Sequence, residues 1–330
     1  MAGALTAPRA SGLPARVLPG AGRVARQAAR RVLMLVVLLA VVFAAVELLP
    51  GDAAGASSDR GVGAADLAAR RAAMGLDRPV AERFGDWMTG LPTGDLGTTA
   101  HGRPVTDVLA GPFPNTLLLG GLALVLSTAG ALAFGGWAAL RPGGRVDRAV
   151  DALSTAAFAL PEFVVSVALL LLLSRWTGWL PAVTLTGPDG RPESWTMIVL
   201  PLLALTVPQV GWNTRIVRGA LADQAALPHV RAAVLDGLPR RRILARHVLP
   251  GALPAVAVGI ATSAGMLLGG AVVVETLFNY PGIGAVLAGA ITDRDTPLVA
   301  GVVAAAGAAV SALLLLADLV RTTTLGEERR

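Results

Sequence analysis

The sequence predicts an all-α polytopic membrane protein with six transmembrane helices. Hydrophobic residues fill 54% of its 330 positions and charged ones only 15%, too few to cover the surface of a soluble chain this long. Mean hydropathy is +0.64. The charges that do occur lie between long apolar runs, each near the ~20 residues that cross a bilayer. All 28 basic residues are Arg, and there is no Lys and no Cys. Without Cys there is no disulfide, thiolate metal site or Cys nucleophile. Without Lys there is no P-loop nucleotidase and no Schiff-base chemistry. The net charge of +6 is no nucleic-acid footprint, because the Arg residues form no stripe interleaved with aromatics.

The elements follow in order. Residues 1–31 form a basic tail; its first 25 or so positions are mostly Ala, Gly, Pro and Arg without apolar periodicity and are expected to be disordered. The first span occupies 32–50. Arg30-Arg31 before it resembles a signal-peptide start, but the run is longer than a usual h-region. Glu47-Leu48-Leu49-Pro50 is also a poor cleavage site, so an uncleaved span is expected. A loop region, 51–112, carries Phe84 and Trp87 as interface anchors or local packing. The core, 113–320, holds five further spans near 113–140, 149–173, 195–214, 251–274 and 298–320, and 321–330 is a tail. Gly, Ala, Ser and Thr enrich four of these five, which lets helix backbones approach closely in lipid.

Orientation follows from Arg placement. The tail, the loops after spans two and four, and the C-terminus carry six, three, seven and three Arg. The opposite loops carry six, two and one, and the six lie in a long loop with eight acids, which weighs little in the positive-inside rule. Both termini are therefore expected in the cytoplasm.

The cytoplasmic loop 215–250 is the most informative stretch. Pro228 suits the first turn of a helix, His229 to Asp236 are helix formers, and Gly237 suits a left-handed helix stop. Pro239 then opens the next helix, which enters the membrane near Pro250. A short helix across the cytoplasmic face results, and Ala232 and Ala233 would permit a partner surface to approach closely. The cluster Arg240, Arg241, Arg242 and Arg246 reads either as topology and headgroup contact or as pairing with acidic groups of a partner.

Ala232-Ala233, Gly237 and Leu249-Pro250, with their spacing, resemble the EAA motif of ABC-importer permeases. Arg231 stands where that motif has Glu. The peptide-transporter branch of the family shares this departure, together with an Arg-His pair like Arg246-His247. Further segments resemble the same branch: Leu48-Leu49-Pro50-Gly51-Asp52, Met74-Gly75-Leu76-Asp77-Arg78-Pro79, and Gly94-Asp95-Leu96-Gly97-Thr98 with Gly102-Arg103-Pro104-Val105. So do Val274-Glu275-Thr276-Leu277-Phe278 with Tyr280-Pro281-Gly282-Ile283-Gly284, and Asp293-Arg294-Asp295-Thr296-Pro297. No single motif carries the resemblance; their joint order over about residues 30 to 320 does. It points to the first, "B"-type permease of dipeptide, oligopeptide and nickel importers, and implies the type I ABC importer permease fold.

The resemblance implies a complex with a second homologous ("C"-type) permease, two ATP-binding-cassette ATPases and an extracytoplasmic solute-binding protein, in a bacterial plasma membrane. This chain would bind no cofactor and catalyse nothing; ATP and Mg would be used by the ATPases. Pro228, His229, Arg231, Ala232, Ala233, Asp236, Gly237, Arg246, His247, Leu249 and Pro250 would couple the ATPases to the spans. Glu162, after Pro161 halfway through the third span, is an intramembrane carboxylate and so a candidate for the translocation path, or else an interhelical hydrogen-bond partner or a residue at a span boundary. Glu275, at the outer end of the fifth span, reads as an interface or outer-gate residue, or as a solvated helix-end charge. Asp318 is expected to pair with a nearby Arg. His101, His229 and His247 lie far apart in sequence and on both faces, so no metal site is expected. Peptide is the implied solute, with nickel chelates, sugars or other small solutes as alternatives. An ion-coupled secondary transporter is the rival class; it leaves the ordered loop motif unexplained, and no inverted repeat is evident.

Overall fold

In the computed structural model, residues 21–56 and 63–327 are described; positions 1–20 of the tail expected to be disordered, and 328–330, lie outside them. The first helix, α1 (Ala21–Glu47), starts inside that tail and runs through the first apolar stretch without a break. Four short helices follow: α2 (Ala53–Ala56), α3 (Ala64–Ala73), α4 (Val80–Gly90) and α5 (Val105–Leu109). The long helix α6 (Pro112–Ala139) has Pro at its first turn, where a missing N–H costs nothing. Then come α7 (Arg145–Ala159), α8 (Glu162–Leu169), which continues as a π-turn to Trp176, and α9 (Thr196–Ala225). The loop that follows holds α10 (Pro228–Leu235) and α11 (Arg240–Ile243). A π-turn (Leu244–Val248) joins α11 to α12 (Leu249–Leu277); α13 (Ile283–Thr292) and α14 (Thr296–Glu327) complete the chain.

Among the described residues five helices are long and apolar enough to cross a membrane, in α1, α6, α9, α11–α12 and α14. The third expected span is not one rod. It is the pair α7 and α8, bent by 95°. The cause is local: Pro161 lacks an N–H and pushes the residue before it out of the helical region, and Leu160 is extended (φ −85°, ψ 121°). Glu162 therefore sits in the first turn of α8, just beyond an elbow, and not midway along one continuous helix.

Helix α9 is the hub, packed against α6, α7, α8 and α12. Glycines make these approaches possible. A Cβ on Gly211 would lie 2.5 Å from Ser154 O and 2.7 Å from Phe158 N, so α7 rests on the α9 backbone itself. On α6, Gly135 receives Val217; on α12, Gly259 receives Ile216. Pro201 and Pro208 lie inside α9, as membrane helices tolerate where neighbours cover the freed carbonyls.

The loops sort onto two faces. On the face with the most Arg, Arg240 donates to Leu140 O across the two loops, and Arg218 pairs with both Asp147 and Asp151. Arg31 pairs with Asp318, as expected. On the other face, Asp295 accepts from Ala100 N and from Leu298 N, and Arg294 donates to Pro50 O. Burial raises the pKa of Asp295, against the lowering effect of those two amides. Phe84 and Trp87 are local packing: their rings stack at 6.4 Å, Phe43 of α1 meets the Phe84 edge at 5.5 Å, and Trp87 Nε1 donates to Leu96 O.

Candidate functional site

The loop between α9 and α12 forms a knob. Leu227 is extended (φ −71°, ψ 148°), so α9 ends and Pro228 opens α10. At the other end Gly237 takes φ +75°. Its N–H donates to Val234 O, and the N–H of Leu238 donates to Ala233 O. This double bond with a left-handed glycine is a Schellman stop. Leu238 then tucks beside Val230 and Ala233 in a cluster with Val217, Leu221, Ile243 and Val248. The knob is thus anchored to both α9 and α12, and can pass a push to either.

The expected coupling residues divide into two sets. Pro228, His229, Arg231, Ala232, Asp236, Gly237, Arg246 and Pro250 are exposed. Ala233 is buried, and His247 and Leu249 are half-buried. Ala233 does not offer its smallness to a partner; it lets α10 settle on its own core. His229 and His247, separated in sequence, are neighbours: His229 Nε2 lies 3.4 Å from His247 O. The tip also carries an apolar pair that the sequence reading passed over, Val234 at 58% and Leu235 at 86% exposure. Helical periodicity was the available signal: with Val230 and Ala233 facing in, Leu235 must face out.

Glu162 lies at the α7–α8 elbow beside a cavity of about 240 Å³, shared with Gln209 and Trp212 of α9 and Met266 of α12. Its side chain lies over Gly270, where a Cβ would come within 3.1 Å of the carboxylate. Half-buried, that carboxylate has no hydrogen bond or ion pair among the described residues. Among the described residues, the interhelical hydrogen bond considered for it is not made.

Glu275 is not a solvated helix-end charge: it is fully buried. Its carboxylate accepts from Thr116 Oγ1 (2.6 Å) and from Gly284 N (2.7 Å). Gly282 and Gly284 leave the room it occupies, since a Cβ on either would overlap a carboxylate oxygen. Around it, Thr116 Oγ1 accepts from Ile283 N, Asn115 donates to Pro281 O, and Tyr280 donates to Asn115 O. The Tyr280–Gly284 turn is thereby stapled to the start of α6, and Glu275 is its positioning residue.

A membrane core of long helices around a hub, with a helical knob on its most basic loop, fits the arrangement expected of an ABC-importer permease. Comparison with known proteins shows the family. The chain belongs to the binding-protein-dependent transport system inner membrane components, with the match covering residues 131–323; the N-terminal domain of such components matches residues 23–119. It is a multi-pass membrane protein and an ABC-importer permease. Permeases of this family act with ATPase subunits, a solute-binding protein and a second permease.

Curated relatives include the "probable peptide ABC transporter permease protein y4tP" of Sinorhizobium fredii, 30% identical over 89% of this chain and 96% of the relative. The glutathione transport system permease GsiC of Pectobacterium atrosepticum is 32% identical over 80% of this chain and 85% of the relative. Among solved structures, the methionine ABC transporter MetNI in an inward-facing crystal form superposes with a TM-score of 0.55. That match covers 66% of this chain and 95% of the other, at 17% identity, and concerns the fold alone.

Proposed function

We propose that this chain forms one side of a translocation path for short peptides across a bacterial plasma membrane, paired with a "C"-type permease and driven by separate ATPases docked on α10. The carrying observation is the knob: a helix locked at both ends, anchored to two spans, with Leu235 and Arg231 presented outward. An exposed apolar tip inside a charged rim has the anatomy of a protein interface, and Arg is among the residues enriched at interface hot spots. Nucleotide-driven closure of the ATPases would move the knob as a rigid body and carry α9 and α12 with it. The chain itself would turn over no ATP.

The two faces and the Arg distribution support cytoplasmic termini, a cytoplasmic knob and an outer 51–112 region that meets the binding protein. The solute class rests on relatives named for peptide and for glutathione, itself a short peptide. Glu162 supports it further: an unpaired carboxylate beside a cavity between spans suits the ammonium of a peptide N-terminus. The test is ATP-dependent uptake of labelled di- and tripeptides by the complete system in proteoliposomes. Leu235→Asp is expected to abolish uptake while the permease still inserts. Uptake of no peptide by the wild-type system would overturn the solute assignment, and full uptake with Leu235→Asp would overturn the docking surface.

A further inference from the structure

A groove of about 520 Å³ runs between the first helix and the last. Its walls are apolar, with Met34 and Leu38 on α1 facing Val310 and Leu314 on α14. Its polar end holds Arg30, Arg31 and Asp318. Among the described residues Asp318 pairs with Arg31, and Arg30 has no ion pair. Arg26 stands one turn before Arg30 and is exposed like it, and α1 has no acidic residue before Glu47. From Arg30 to Leu38 the helix rises about 12 Å, close to the roughly 15 Å depth of one leaflet's hydrocarbon.

We propose that this groove is a binding site for an anionic phospholipid, with the phosphate on Arg30 and one acyl chain between α1 and α14. Charge complementarity chooses the occupant. A zwitterionic lipid would bring its own cation to a mouth that already has unanswered positive charge. An apolar protein helix would bury Arg30 against no partner, which is costly. Basic pockets between spans are a recurring form of headgroup site, and one arginine at an anionic surface is worth about fivefold in binding. The Arg31–Asp318 pair joins the two helices at the mouth. Deeper in, Leu35 sits on Gly307, where a Cβ would come within 2.5 Å of Leu35 Cδ1. The lipid would fill the space left between these contacts and tie α1 to the core.

The test uses the complete purified complex. Native mass spectrometry with added phosphatidylglycerol or phosphatidylcholine of equal chain length should show retained adducts of the first only. Arg30→Gln should reduce them about fivefold, and Leu314→Trp, which fills the groove and spares the arginines, should abolish them. A photoreactive residue at Met34 should label lipid in native membranes. Equal retention of the two lipids, adducts unchanged in both variants, or labelling of the partner permease at Met34 would overturn the assignment.

Discussion

Gly211→Ala is the sharpest test of the helix arrangement. Its added Cβ would meet backbone atoms at 2.5 and 2.7 Å and the Ala157 Cβ at 3.1 Å. Ordinary contacts of this kind lie near 3.5–4.0 Å, so α7 and α9 must separate by about 1 Å. No side chain can rotate away to relieve this. The separation also loosens Phe158 from Trp212, whose rings stand 4.8 Å apart, and Phe158 from the Arg215 guanidinium above it. Overpacking of this kind costs about 1–3 kcal/mol. The same substitution at Gly219, on the same helix but with nothing within 4 Å of the new Cβ, should gain up to about 1 kcal/mol from helix propensity. Gly135→Ala should fall between them, because its obstacle is the Val217 side chain at 2.7 Å, which has other rotamers. The assay is unfolding of the purified complex by denaturing detergent, followed by Trp fluorescence. If Gly211→Ala proves as stable as Gly219→Ala, the α7–α9 crossing is not where the structure puts it.

Further outcomes follow from the same geometry. Gly237→Val meets no neighbour but forces a β-branched residue to φ +75°, at a cost of about 1–2 kcal/mol. It should leave ATPase activity running while transport falls, whereas Gly237→Asn should largely keep both; unchanged transport in the Val variant refutes the coupling role. Glu162→Gln should lower uptake of cationic peptides several-fold and spare solutes without an ammonium group, and an equal effect on both removes the electrostatic role. Glu275→Gln keeps the shape but weakens the bonds from Thr116 and Gly284, so the assembled permease should lose about 1–3 kcal/mol of stability, read in the same unfolding assay. Arg218→Gln releases Asp147 and Asp151, both at least partly exposed, and should cost no more than about 1 kcal/mol while raising proteolysis between α6 and α7.

The apolar runs were legible because a span needs only length and apolarity, which the chain displays directly. The short helix α10 was legible because its start and stop are local chemistry: Pro228 at the first turn and Gly237 at a left-handed stop. The Asp318 pairing was legible too, since a charge near a membrane helix end needs a partner and Arg was the available cation. What the sequence left open was direction. Ala232 and Ala233 look alike in sequence, yet one faces out and one is buried, because α10 settles on a surface built by α9 and α12. The third span reads in sequence as one rod; Pro161 bends it by 95°, and the α7 arm of that elbow lies on the bare backbone at Gly211.

By itself, then, the sequence determined an all-helical membrane permease, and the start and stop of the short helix on its most basic loop. Composition, period and single-residue backbone preferences act within a few residues of the chain, so they can be read from it. Only the tertiary structure decided what surrounds each carboxylate. Glu162 stands at an elbow beside a cavity, with no partner for its carboxylate among the described residues. Glu275, read from the sequence as an interface or outer-gate residue or else a solvated charge, is buried and joins α6 to the turn after α12. The environment of a charge is set by residues far away in the chain, here Thr116 and Gly284 for one and Gly270 for the other, and no local pattern encodes that meeting.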